Sequence, residues 1–239
     1  MNYVHEFFFQ IYPYIVFSIF FLGSLIRFDR EQYSWKSDSS ELLKRGNLRL
    51  GSNFFHIGVL FVLAGHVVGL LIPETWFEAI GISARLHQIV ALTSGGAFGA
   101  ICLIGIAILI HRRLTEPRIR ATTRIMDAVV LGWLFVLVGF GMGTIYFTSQ
   151  HLNGELIALL AQWAQHIITF RGGAAAYAAA APLEFQIHLL LGLTLFALVP
   201  FSRLAHIWSG VTSVGYLLRP YQLVRPKTPR RASRQAELS

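Results

Sequence analysis

The sequence predicts an all-α membrane protein, a bundle of five transmembrane helices with no separate soluble domain. Three observations lead to this fold class. The chain of 239 residues is 54% hydrophobic and only 13% charged, which is a composition typical of membrane proteins. It contains five apolar runs, each long enough to cross a bilayer. The Lys and Arg residues lie between these runs in a one-sided pattern, as expected for a multi-pass protein.

The apolar runs match the thickness of a bilayer, because twenty helical residues span about 30 Å. The N-terminal run has no Lys or Arg before it and no small-residue cleavage site, so we interpret it as a retained membrane helix and not as a signal peptide. The predicted spans are residues 6–26, 53–72, 88–110, 127–147 and 184–207.

The basic residues predict the orientation of these spans. Of the twenty Lys and Arg residues, six lie between the first two runs, five follow the third, and seven lie from Arg203 onward. Only Arg85 and Arg171 lie on the other side. The protein is predicted to lie in the inner membrane of a bacterium or archaeon. Since basic residues favour the cytoplasmic side, the N-terminus is predicted to lie outside and the C-terminus in the cytoplasm. The net charge of +8 is therefore attributed to topology and membrane lipid, and not to nucleic-acid binding.

The segments between the spans are interpreted from their composition. Residues 73–86 are predicted to lie along the interface, and residues 153–170, with helical apolar spacing and one charge, to form a helix on the outer surface. The Gly/Ala-rich residues after Arg171 are predicted to be a connector. Residues 225–239 are polar and basic, and a flexible tail is expected there, which leaves residues 1–224 as one membrane domain.

Two of the runs carry two histidines each: His56 and His66 in the second, His188 and His206 in the last. Ionisable side chains inside a membrane are costly and mark functional sites. Imidazole is an axial ligand of haem iron, and a low-spin electron-transfer haem takes two. Because the two helices run antiparallel, their histidines should pair by depth. The sequence predicts two haems b, bound by His66–His188 near the outer face and His56–His206 near the inner face.

The spacing of the histidines differs between the two helices by about 12 Å of rise, a mismatch that a kink in the last helix and differing helix tilts would have to take up. His56 and His66 are ten residues apart, about 15 Å of helical rise, whereas His188 and His206 are eighteen apart, about 27 Å. Pro200 lies between the last two and predicts a kink or interruption that takes up part of the difference. The alternative for a lone membrane histidine is a hydrogen bond to a carbonyl or serine. A haem-free membrane anchor or transporter is the corresponding alternative for all four.

Small and basic residues near these histidines are further candidates. Gly65, Gly69 and Gly192 are predicted to give a flat macrocycle clearance, although glycine also serves close helix packing. Arg112 and Arg203 are predicted to pair with haem propionates because a guanidinium matches a carboxylate, the alternative being ordinary positive-inside charge.

Two further residues, His87 and Cys102, limit which reactions the chain can carry out. His87 begins the third run near the predicted depth of the outer haem, where it could accept a proton from a quinol that loses two electrons; a plain interfacial histidine is the alternative. Cys102 is the only cysteine, so this chain cannot hold an iron–sulfur cluster with its own thiolates. A different subunit must therefore take electrons onward.

Several stretches resemble one family, among them SNFFHIGVLFVLAGHVVGLL, ICLIGIAILIHRRLTEPRIRAT and FALVPFSRLAHIWS. The family is the gamma (cytochrome b) subunit of membrane-bound respiratory nitrate reductase, and the resemblance covers most of the chain. It implies a five-helix dihaem cytochrome b that oxidises menaquinol or ubiquinol near the outer haem. Electrons would pass to an iron–sulfur beta subunit and on to a molybdenum-containing alpha subunit that reduces nitrate. The family's four haem ligands match His56, His66, His188 and His206.

The resemblance also implies a basic side chain at the start of the third helix, in the quinol site. The matching residue is His87, or Arg85 if the alignment is shifted by two positions. Similar dihaem subunits serve sulfite-reduction-linked complexes, formate dehydrogenases and hydrogenases, and they are the nearer alternative to the nitrate reductase assignment.

Overall fold

The computed structural model describes residues 3–30, 46–150 and 152–208, and within these ranges the chain is helical without any strand. The predicted all-α fold with five spans is confirmed, whereas the expected tail at residues 225–239 lies outside the described residues. The helices long and apolar enough to cross a membrane, numbered from the first to the fifth span, are Tyr3–Arg30, Asn47–Leu71, Ala84–Thr115, Ile125–Ser149 and Leu183–Phe201.

Shorter helices fill the connections. The helix Glu155–Ile168 has 14 residues, so it is about 21 Å long and too short to cross a bilayer, as expected for a surface helix. The Gly/Ala segment differs from the predicted connector, because it forms the helix Ala174–Ala180, in line with the high helix propensity of alanine. Gly173 precedes that helix with a φ of 82°, a conformation that favours glycine. Two six-residue helices complete the set, Glu74–Ala79 and Pro117–Thr122.

The first span contains an irregular turn that anchors the surface helix. Its residues Phe7–Ile11 form a π-helix. Pro13 has no backbone N–H, so it cannot donate to the carbonyl of Phe9, four residues earlier. The indole Nε1 of Trp163 donates to this carbonyl at 2.9 Å. The carbonyl that Pro13 cannot pair with thus accepts a hydrogen bond from Trp163, which joins the helix Glu155–Ile168 to the first span.

The second and third spans make the closest helix contact. A Cβ placed on Gly58 would lie 2.6 Å from Cα of Cys102. A Cβ on Gly105 would press on the backbone nitrogen of Phe55 and lie 2.9 Å from the carbonyl oxygen of Gly51. Glycine at these positions lets two membrane backbones touch, which fixes the second span, and the histidines on it, against the third.

Candidate functional site

The structure brings His66 and His188 together. His66 lies in the second span and His188 in the fifth, and their ring centroids are 6.1 Å apart with 39° between the ring planes. Nδ1 of His66 is 2.7 Å from the carbonyl oxygen of Val62. Since a carbonyl only accepts, Nδ1 carries the proton and Nε2 keeps a free lone pair. Nδ1 of His188 is buried and has no hydrogen-bond partner among the described residues.

His56 and His206 form a second pair of the same kind. Their centroids are 6.2 Å apart and their planes are inclined by 65°. Nδ1 of His56 donates to the carbonyl of Ser52 at 2.7 Å, and Nδ1 of His206 donates to that of Arg203 at 2.6 Å. In both imidazoles the lone pair therefore lies on Nε2.

The centroid distance within each pair is close to the value for two imidazoles that share one metal atom. A metal lies about 2 Å from a ligating imidazole nitrogen, and C–N bonds of about 1.33 Å give the ring a radius of about 1.1 Å. Two collinear imidazoles on one metal then have centroids about 6.3 Å apart, close to both observed distances. Among the described residues no group of three or more His, Cys, Asp and Glu could hold a metal.

A break in the fifth span allows both pairs to form. The α-helix ends at Leu198, and Val199–Phe201 is a 3-10 turn that contains Pro200. Ser202 is extended, with φ −126° and ψ 176°, and the chain then turns again before His206. Arg27 of the first span donates to the carbonyls of Pro200 and Ser202 at 2.8 and 2.5 Å. The interruption expected at Pro200 is thus present, and an arginine from another span donates to two carbonyls at the break.

The space beside the predicted glycines is open. A Cβ on Gly65 or Gly192 would meet no described atom within 4 Å. A Cβ on Gly69 would lie 3.7 Å from Nε2 of His87. Gly65 and Gly192 therefore leave open space near a histidine. That the three glycines make room for a macrocycle stays a prediction.

Gly141 of the fourth span lies against His188, which the sequence did not suggest. A Cβ there would be 2.9 Å from Cε1 of the imidazole, tighter than ordinary contact. The fourth span therefore packs against the His188 ring and limits where the ring can lie.

Gly141→Ala is expected to displace the His188 imidazole and to disturb the His66–His188 site alone. Gly143→Ala is the matched control, because Gly143 lies two residues further on, is exposed, and has nothing within 4 Å of a built Cβ. Electron paramagnetic resonance of bound low-spin haem checks this, since its g values respond to imidazole orientation. A spectrum shifted equally by both substitutions, or by neither, would contradict the assignment.

The structure distinguishes the two candidate quinol-site bases. The His87 ring stacks on Phe77 with centroids 4.2 Å apart, and its Nε2 approaches Gly69, one helical turn beyond His66. Arg85 is exposed and lies two residues earlier, and residues two apart on a helix do not face the same way. Of the two, His87 is therefore the side chain that lies beside the second span near His66.

The predicted arginines are brought to one region with an acid that the sequence reading missed. Nε of Arg203 donates to Oδ1 of Asp127 at 2.6 Å, and its Nη2 pairs with Oδ2. Arg112 is buried at the end of the third span, and the adjacent Arg113 interacts electrostatically with Asp127 and Arg203. In the described structure Arg203 thus has a carboxylate partner within the chain. A role of Arg112 and Arg203 toward haem propionates stays a prediction.

Comparison with known proteins places this chain in a family. Residues 5–227 match the nitrate reductase gamma subunit family. The chain is 45% identical over 227 residues to the respiratory nitrate reductase 1 gamma chain of Escherichia coli, covering 95% of this chain and 100% of that protein. It is 34% identical over 218 residues to the nitrate reductase gamma chain of Bacillus subtilis, covering 91% and 96%.

A third relative carries the same region inside a larger protein. The nitrate reductase-like protein NarX of Mycobacterium tuberculosis is 35% identical over 227 residues, which are 93% of this chain but 34% of that protein. The five spans, the full-length matches and the family assignment agree. The chain is a multi-pass membrane protein that belongs to the nitrate reductase gamma subunit family, the membrane subunit of respiratory nitrate reductase.

Proposed function

We propose that this chain is the quinol-oxidising dihaem cytochrome b of its nitrate reductase complex. It would anchor the complex, take electrons from quinol near the outer face, and pass them inward to an iron–sulfur beta subunit. That subunit would feed a molybdenum-containing alpha subunit, where nitrate is reduced. The main support for the proposal is that two sets of histidines, His66 with His188 and His56 with His206, each have ring centroids 6.1–6.2 Å apart.

The residues present fit haem b at both pairs. Each pair offers two imidazoles, the number of protein ligands that a low-spin electron-transfer haem would take. Three of the four Nδ1 atoms donate to backbone carbonyls, which fixes the tautomer in which Nε2 carries the lone pair and raises the basicity of that nitrogen. Haem iron, when bound there, accepts and releases one electron at a time.

The arginines support the direction of transfer. Arg27, Arg112 and Arg203 all lie at the span ends that adjoin the His56–His206 pair. By the positive-inside rule this end faces the cytoplasm, so His66 and His188 lie toward the outside. The same basic end would contact membrane lipid headgroups and the acidic surfaces of partner subunits.

In the proposed quinol site His87 is the proton acceptor. Its ring is held between Phe77 and the second span at Gly69, one turn from His66. Its Nε2 would lie 3.7 Å from a Cβ built on Gly69, and this nitrogen would accept the proton there. Quinol oxidation at this position would release protons on the outer side while electrons move inward.

His87→Ala is expected to lower quinol-dependent turnover by about 10²- to 10⁴-fold, the usual contribution of a positioned acid–base group. Arg85→Ala is the matched control, since Arg85 is exposed at the same helix end. The measurement is steady-state nitrate reduction with a soluble quinol analogue. Haem content should stay at the unmodified level in both variants. Equal losses for the two variants would remove His87 from this role.

The proposed function is tested by adding quinol to membranes that contain the complex and following haem absorption without nitrate. Reduction of b haem by quinol, followed by rapid reoxidation when nitrate is added, is the expected result. Haem that quinol does not reduce, or that nitrate does not reoxidise, would refute the electron path.

A further inference from the structure

His206 lies outside the regular helix of the fifth span. The α-helix ends at Leu198, and His206 directly follows the 3-10 turn Arg203–Ala205. The residue before this turn, Ser202, is extended, so the continuous i→i−4 ladder that holds His188 does not reach His206. Contacts with other spans must fix where this imidazole lies.

One such contact comes from Asp127 in the first turn of the fourth span. Its carboxylate binds the Arg203 guanidinium through both oxygens, with Nε to Oδ1 at 2.6 Å and Nη2 to Oδ2. The Asp127 side chain is 5% exposed and that of Arg203 31% exposed. A two-pronged, charge-assisted pair of this kind fixes both the position and the plane of the guanidinium.

Arg203 transmits this position to the histidine. Its backbone carbonyl, in the same residue as the anchored guanidinium, accepts the hydrogen bond from Nδ1 of His206 at 2.6 Å. The carboxylate of Asp127 therefore holds Arg203, and Arg203 orients the His206 ring opposite His56, 6.2 Å away. Such outer partners control ligand orientation and basicity at metal sites.

Charge makes Asp127 difficult to replace. The electrostatic neighbours of Arg113 are Arg203, Arg112 and Asp127, and Asp127 is the acid among them. Without its charge, Arg113 would keep Arg112 and Arg203 as neighbours but lose this acid, and Arg203 would lose its contact with Asp127, while Glu116 would still interact with Arg112. Because the Asp127 carboxylate is buried and the Arg203 guanidinium is half-buried, removing one partner of the pair is costlier than replacing both.

We propose that Asp127 is a positioning residue for the inner haem ligand His206, acting through Arg203. The proposal rests on the proposed dihaem function, because it concerns the quality of one of the two haem sites. It predicts that a substitution of Asp127 alters haem binding at the His56–His206 site and not at the His66–His188 site.

Asp127→Asn tests this in the complete membrane complex, with Glu78→Gln as a control at an exposed acid. Electron paramagnetic resonance of the oxidised haems and pyridine haemochrome analysis are the measurements. We expect the inner-haem signal to shift or disappear, with haem affinity of that site lowered by about 10- to 100-fold, while the outer-haem signal is unchanged. Asp127→Glu, which keeps the charge, should recover most of the inner signal.

The outcomes separate this proposal from the function on which it rests. An unmodified complex without b haem would overturn both. Two haems in the unmodified complex, with an unchanged spectrum in Asp127→Asn, would overturn the role of Asp127 alone. If Asp127→Asn does not accumulate in the membrane, Arg203→Lys is measured, because it keeps the charge and removes the two-pronged contact. An unchanged inner signal in that variant would also overturn the proposal.

Discussion

Replacing His188 by alanine is expected to remove one of two haems and to lower quinol-dependent nitrate reduction by at least about 100-fold, since even second-shell changes cost 10–100-fold. His188 is half-buried beside His66, and no other described histidine lies within ring contact of His66. His66→Ala should produce the same loss, because either ligand alone leaves the iron without its second imidazole. The haem content per chain and the turnover are measured together.

His111→Ala is the control for these substitutions. His111 is an exposed histidine near the end of the third span and has no partner histidine in ring contact in the described structure. It should retain both haems and full turnover. Nitrate reduction by a dye that delivers electrons directly to the partner subunits should persist in all three variants. A His188→Ala protein that keeps two haems would contradict the pairing with His66.

Gly105→Ala is expected to destabilise the protein by about 1–3 kcal/mol, although it adds one methyl group. The new Cβ would meet the backbone nitrogen of Phe55 and the carbonyl of Gly51, and backbone atoms cannot rotate away as side chains can. The second span would then be pushed from the third, and His56, next to Phe55, would move with it. Thermal loss of haem absorbance from the detergent-solubilised complex measures the change.

Gly132→Ala is the matched control for this substitution. Gly132 lies in the fourth span, is exposed, and has nothing within 4 Å of a built Cβ. It should leave stability unchanged or raise it slightly, since alanine favours helix over glycine. Equal stability of the two variants would show that the contact between the second and third spans is looser than the glycine positions indicate.

The fold was predictable from sequence because each span is a long run with no competing pattern. Polar residues around residues 27–52 and 112–126 separate these runs clearly, so five crossings follow from length alone. The segment 171–182 was less predictable. Its glycines indicate a connector and its alanines indicate a helix, and the buried packing of Ala174 and Ala178 decides for a helix.

The site was predictable where it depends on depth along a helix. Pairing His66 with His188 and His56 with His206 needs only the antiparallel direction of two spans and the break at Pro200. Asp127 and Gly141 could not be identified in the same way. Their importance comes from the rotation of the fourth span, which turns one toward Arg203 and the other toward His188, and no period in the sequence specifies that rotation.

The most direct test of the dihaem assignment is a reduced-minus-oxidised spectrum of the purified membrane protein with pyridine haemochrome quantification per chain. Two b haems per polypeptide are predicted, one for each histidine pair. A spectrum without a haem α-band would contradict the assignment and leave the four histidines as parts of a haem-free membrane anchor.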